Sequence, residues 1–323
     1  VTARGARSKA AQALLLAMLW PGLALGGQTL SLGAPDKRKY AAFDPETHAV
    51  FVAHGSEVTV ADAGGTRIIG HVGGLAGVHG VALVPGGHGY ASGRSGTVTV
   101  FDTKSFRILR TLPAQADANA VVYDKASRHI FVMNDDADSM TIIDPASDKV
   151  VQTIKLPGDE GLEAAVSDEN GHIFINHSAE QDVLRIDTVH MALDAAWKLT
   201  DCPKPQGIAI DAVRYRLFVS CEAGQLLILD SRSGQRITSV LIGRGNEALQ
   251  FDALRHRLYA PTPDGVVSVI DTGGSEKYAV LPSLKVAAGA RTGALDEGTG
   301  RLYVVAGGPR EAPTLVTIEA MPF

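Results

Sequence analysis

The stretch "PQGIAIDAVRYRLFVSCEAGQLLILDSRSGQRITSV", residues 205–240, holds four short apolar runs separated by turns. "GIAID" and "RLFVSC" alternate apolar and small or polar residues, as half-buried strands do, and "LLILD" closes an apolar run on an acid. A more ragged strand, "RITSV", follows. On its own this is a small antiparallel sheet with two faces to cover. Its meaning comes from its recurrence.

The same unit recurs through residues 37–319. Its first strand ends in an acid in six of seven copies: Asp44, Asp124, Asp168, Asp211, Asp252 and Asp296. The remaining copy, "GVALV", places Val84 there. Six or seven residues later comes an aromatic: Phe51, Tyr90, Phe131, Phe174, Phe218, Tyr259 or Tyr303. A third strand ends in Asp62, Asp102, Asp144, Asp187, Asp230, Asp271 or Glu319, at steps of 40, 42, 43, 43, 41 and 48 residues. Four short strands at this period describe a propeller blade. One such sheet cannot cover its own faces, whereas seven packed radially bury one another. The expected fold is all-β, a seven-bladed β-propeller of four-stranded antiparallel blades. The seventh copy stops after its third strand, so "QTLSL" at 28–32 is expected to supply the missing outer strand and close the ring. The strand-ending acids are read as turn residues, since Asp bonds the backbone two residues on.

These repeats resemble the YncE-like seven-bladed propellers, the YVTN-repeat family of largely exported bacterial proteins. The likeness is carried by the blade quoted above and by "VHGVALVPGGHGYASGRSGTVTVFDTKSFRILRTL", and it covers nearly all of residues 27–323. "FVMN" and "FINH" stay near the tetrapeptide that names the family; "YASG", "FVSC" and "YAPT" drift from it. The resemblance implies a binding or scaffold module and supplies no agreed catalytic motif.

The N-terminal segment reads as an address. Arg4, Arg7 and Lys9 precede the apolar run "AAQALLLAMLW", then Pro21 and small residues, which is the order of a secretory signal ending before Gly27. The apolar run is too short to span a bilayer, which needs roughly 20 apolar residues. Residues 1–26 are therefore expected to be removed and residues 27–323 to form one domain, periplasmic or secreted, monomeric, and off the membrane. The formal charge of −5 would become −8 on losing those three cations. That charge disfavours nucleic acid, and the one basic cluster, Lys37–Lys39, sits beside Asp36. Cys202 and Cys221, the only cysteines, are expected to form a disulfide in an oxidising compartment.

Five residues before each strand-one terminus stand Lys39, His79, Asn119, Glu163, Gln206, Glu247 and Arg291. All are polar, although the strands beyond them are apolar. In a propeller the first strand lines the central channel, so these seven are expected to converge on a funnel at one end. His54, Asn134 and His177 are expected near its rim. A small molecule or protein bound there is the leading reading. The alternative is a lactonase- or lyase-type enzyme using His79, Glu163, Glu247 and Arg291 for acid–base or metal-assisted chemistry. The acidic run "NDDADS" at 134–139 reads as a solvated turn. No cofactor motif is present, and none is predicted.

Overall fold

A computed structural model describes residues 27–33, 38–274, 277–307 and 311–321, with the side chains of Arg38 and Lys39 outside the description. The expected signal, residues 1–26, lies outside the described residues. Among those described there is no helix, and seven four-stranded antiparallel sheets account for every strand. The protein is a seven-bladed β-propeller.

Blades 1 to 6 run outward in chain order. In blade 1 the strands are Arg38–Asp44, Ala49–His54, Glu57–Asp62 and Ile68–Val72. The first strands of the remaining blades are Val78–Val84, Ala118–Asp124, Leu162–Ser167, Pro205–Asp211, Gln250–Asp252 and Thr292–Asp296. Blade 7 is completed by Gln28–Ser31, which pairs antiparallel with Thr314–Ile318 in the register Gln28↔Thr317 to Ser31↔Thr314. Closure by the N-terminal strand is thus observed. Leu32, just beyond that strand, is fully buried, and its N–H donates to the Pro313 carbonyl at 2.8 Å.

The core is not a single body. Seven buried clusters lie between successive blades, one at each junction around the ring. The repeating aromatic explains this arrangement. All seven are at most 2% exposed, each inserted from the second strand into a blade junction. Phe51 meets Phe101 of blade 2 with ring centres 5.9 Å apart, and Tyr303 stacks on Phe43 of blade 1 at 5.7 Å. Fourth strands face solvent, as the pattern of Ile108–Pro113 shows, which is why their sequences are irregular.

The strand-ending acids hold turns. Asp102 Oδ1 accepts the N–H groups of Lys104 and Ser105 at 3.2 and 2.6 Å. Asp62 does the same for Thr66 and Arg67 at 2.7 and 3.0 Å. Several of these carboxyls sit below their ordinary range because the bonds favour the anion; the backbone and side chain of His190 bring Asp187 down to about 2.

Candidate functional site

The first strands converge on a channel whose narrow cavity, about 180 Å3, is lined from all seven blades. Its walls are small: Gly80, Ala120, Ala164, Ala248 and Gly293 contribute. Tyr40 is the one aromatic in its lining. It reaches from blade 1 to pack beside the clusters holding Ala120 and Leu162 and holding Ala164 and Ile208. The residue directly after Lys39 therefore fills the axis at the funnel end. Burial, and then the carboxylates of Glu163, Glu247 and Asp135, push the Tyr40 phenol well above its ordinary range. Lys39 itself lies on the strand, with its side chain outside the description.

A local device sets the positions above this floor. In blades 1 to 5 the first strand breaks register with the second just at the expected funnel residue, as between Val78 and Val81 or Pro205 and Ile208. A bulge re-aims a side chain and frees backbone groups that need new partners. Second-strand serines supply them. Ser92 Oγ accepts the Gly80 N–H at 2.9 Å and donates to the Asn119 carbonyl of blade 3. Ser220 Oγ accepts the Gly207 N–H at 2.9 Å and donates to Asn246 Oδ1 of blade 6 at 2.7 Å. The glycines are required by crowding: a Cβ on Gly207 would lie 2.6 Å from Asn246 Oδ1 and 2.8 Å from Ser220 Oγ.

Blade 6 departs from the expected pattern. Glu247 is not on a strand; the first strand begins only at Gln250. The lead-in is organised by Asn246, fully buried, whose Nδ2 donates to the carbonyls of Ala248 and Pro261 at 2.7 and 2.9 Å. Glu247 N–H and Ala248 N–H both point to the Arg291 carbonyl, at 3.2 and 3.1 Å. Side-chain bonds thus replace the ladder and leave the Glu247 carboxylate on the open side.

Each of the six funnel residues whose side chains are described meets a partner across a blade junction, and two of these contacts join funnel residues to each other. Arg291 Nη1 meets Glu247 Oε1 at 2.8 Å, with side chains 41% and 35% exposed. Gln206 Nε2 donates to Glu163 Oε1 at 3.4 Å. His79 is buried, its Nδ1 3.4 Å from Asp117 Oδ1, and Arg94 Nε lies 3.5 Å from the same oxygen. Asn119 is buried and donates to the Leu162 carbonyl at 3.3 Å. Of the four groups that an acid–base reading would draw on, Glu247 and Arg291 touch each other, Glu163 touches Gln206, and His79 sits with Asp117.

The rim residues are placed in blade interiors. His54 Nε2 lies 2.7 Å from Thr59 Oγ1, and Asn134 Nδ2 donates to Ser139 and Thr141. His177 is 1% exposed, with Nδ1 3.2 Å from Asp182 Oδ1 and Nε2 3.0 Å from the Glu160 carbonyl. Two acceptors, one on each ring nitrogen, fit an imidazolium. Burial opposes the charge, but Asp182 and the Glu160 carbonyl outweigh it and raise His177 above 6.5. A raised histidine stabilises fully below its unfolded value and loses that contribution as pH rises through its folded one. The melting temperature should accordingly fall as pH is raised from 6.5, and His177→Gln should flatten that slope. A wild-type melting curve independent of pH over this range would contradict the assignment. His190 shifts the same way but is fully exposed, so its share is small.

Beside His79, the carboxylates of Asp117, Asp135 and Asp136 come within 4.8 Å of one another. Asp135 accepts the N–H groups of Gly161 and Leu162, and so ties blade 3 to the entry of blade 4. Burial raises the Asp135 carboxyl, with Asp117 and Asp136 adding to the effect. Cys202 and Cys221 form the expected disulfide, Cα atoms 5.2 Å apart, on the same end of the ring. They hold the segment that leads Gln206 into its strand.

No family model matches the chain, and no curated protein matches it. Its fold is widely shared among solved structures. The crystal structure of RRP9 WD40 repeats superposes with a TM-score of 0.78 at 11% identity, covering 90% of this chain and 97% of that one. Hydrazine synthase from Kuenenia stuttgartiensis gives 0.77 at 13% identity over 90% and 97%. A chain of the mitotic checkpoint complex gives 0.76 at 14% identity over 97% and 100%. At such identities the likeness establishes architecture: this chain is a seven-bladed propeller with WD40-like neighbours.

Proposed function

We propose that the protein is an exported, YncE-like propeller that binds a small molecule or a partner segment at the funnel. The observation that carries this reading is the set of side chains gathered above Tyr40. Glu247 and Arg291, half exposed, belong to blades 6 and 7; Glu163 and Gln206 belong to blades 4 and 5. Four blades thus present hydrogen-bonding groups around an aromatic floor. The fold supports the reading, since propellers commonly act as binding platforms, and the signal-like N-terminus supports export.

An exposed ion pair contributes about 0–1 kcal/mol to stability. Glu247→Ala and Arg291→Ala should therefore melt close to the wild type while losing the bound species. Native mass spectrometry of protein purified from its producing cells reads this directly. A co-purifying species retained by both variants would reject the funnel as the site. N-terminal sequencing of the same material should begin near Gly27; a mature chain retaining Leu14–Leu16 would reject export through this segment.

A further inference from the structure

The opposite end of the channel holds a larger cavity, about 420 Å3, within the roughly 300–1,000 Å3 span of small-molecule sites. It lies where the repeat departs from its own rule. Blade 2 is the copy whose first strand ends without an acid, and Val84 and Pro85 stand in place of the turn carboxylate. Together with Phe43, Leu83, Tyr123 and Leu295 they make an apolar wall drawn from blades 1, 2, 3 and 7.

The rim of this wall is acidic, and its four carboxylates differ. Asp44 accepts the Glu46 N–H at 3.0 Å and the Thr47 hydroxyl at 2.6 Å. Asp296 accepts the Gly298 N–H at 3.0 Å and the Thr299 hydroxyl at 2.6 Å. These two are committed to holding turns. The turns carry Glu46 and Glu297, both exposed, and among the described residues neither carboxylate makes a hydrogen bond or salt bridge. The Glu297 turn is held rigid: Arg255 donates to the carbonyls of Glu297, Gly298 and Thr299 at 3.3, 3.5 and 2.8 Å. The single cation in the lining, Lys125, lies 2.5 Å from Glu169. Glu297 is exposed as a residue, but the surrounding turns partly desolvate its carboxyl and raise it above its ordinary range; Lys125 opposes this, while Glu169, Asp252 and Asp296 add to it. An anion placed at a disadvantage in this way gains from a cation brought beside it.

The geometry points to a small organic ammonium ion as the occupant, its charge beside Glu46 and Glu297 and its apolar body on Phe43, Leu83, Val84 and Tyr123. A bare metal ion would want oxygen ligands on most sides, whereas much of this cavity's lining is carbon, from Phe43, Leu83, Val84, Pro85 and Leu295. Aromatic rings in the wall suit a cation with an organic body. The site lies at the other end of the ring from the funnel and stands or falls separately from it.

Titration of the full chain with phenethylammonium chloride, followed calorimetrically, tests the assignment. Saturable binding is expected. The double variant Glu46→Gln/Glu297→Gln should bind at least about tenfold more weakly, and the neutral isostere phenethyl alcohol should bind the wild type more weakly by a similar factor. Both substitutions are at exposed positions, so an unchanged melting curve confirms that the variant is folded. Glu247→Ala, at the funnel, should leave phenethylammonium binding untouched. The proposal is overturned by no saturable binding, equal affinity in the double variant, equal affinity for the alcohol, or loss of binding in Glu247→Ala. Capture of a lysine-bearing peptide without capture of the free ammonium would also overturn it, since the occupant would then be a protein segment.

Discussion

Removing residues 28–32 should unfold the ring or drive it to associate. The segment supplies four paired residues to the edge of blade 7 and buries Leu32 completely in the junction with blade 1. Truncating a buried leucine alone costs about 2–5 kcal/mol, against a total stability of about 5–15 kcal/mol for a typical domain. The deletion also bares the edge of Thr314–Ile318, whose unpaired backbone groups would template pairing with another chain. Thermal melting and size-exclusion chromatography read both effects. Leu32→Ala, which keeps the strand but empties its anchor, should give an intermediate loss in a protein that stays monomeric. A deletion variant that is monomeric and melts like the wild type would refute closure by this segment.

Breaking the disulfide is the second large effect. Cys202 and Cys221 are separated by 19 residues, and closing a loop of that size stabilises by about 3 kcal/mol in the chain-entropy model. Both sulfurs are buried in the cluster joining blades 4 and 5, next to Leu199 and Val219. The bond sits where Pro205 pairs with Cys221, one residue before Gln206. Cys202→Ala/Cys221→Ala, or reduction of the native protein, should lower the denaturant midpoint by an amount matching that free energy. The same treatment should loosen the Gln206–Glu163 contact at the funnel, detectable as faster amide exchange at Gly207. An unchanged midpoint under reducing conditions would show that packing alone holds this segment.

The repeat, the closure and the disulfide were all readable from the sequence because each rests on a periodic or pairwise constraint. The aromatic of strand two recurs since every blade junction needs a wedge, and the acids recur since every hairpin needs a cap. What lay beyond the pattern was the course of the chain at the funnel. Counting five residues back from each acid assumes an unbroken strand, and the bulges in blades 1 to 5 break it. Small residues follow most funnel positions, yet they do not leave open space: Gly80 and Gly207 are pressed against second-strand serines and the next blade. Tyr40, the bulky exception among those neighbours, occupies the channel.

The partners of the polar residues that end the second strands were only partly legible. His54, Asn134 and His177 end their second strands, and their described bonds run within their own blades or to a neighbouring loop. A threonine across the hairpin, Thr59 or Thr141, marks two of the three cases in the sequence. In the third, Asp182 across the hairpin is visible in the sequence, whereas the Glu160 backbone carbonyl leaves no trace in residue type.

The N-terminal strand also fixes an order of events. Gln28–Ser31 pairs with Thr314–Ile318, so of the described strands the first in chain order is the last to be satisfied. Bringing such distant segments together is entropically expensive and comes late in folding. Until blade 7 exists, six blades form an open arc with bare edges at both ends, the form in which sheets pair with the wrong neighbour. The segment that makes the finished ring durable therefore leaves the nascent chain exposed longest, and a holding chaperone would act most usefully on that arc.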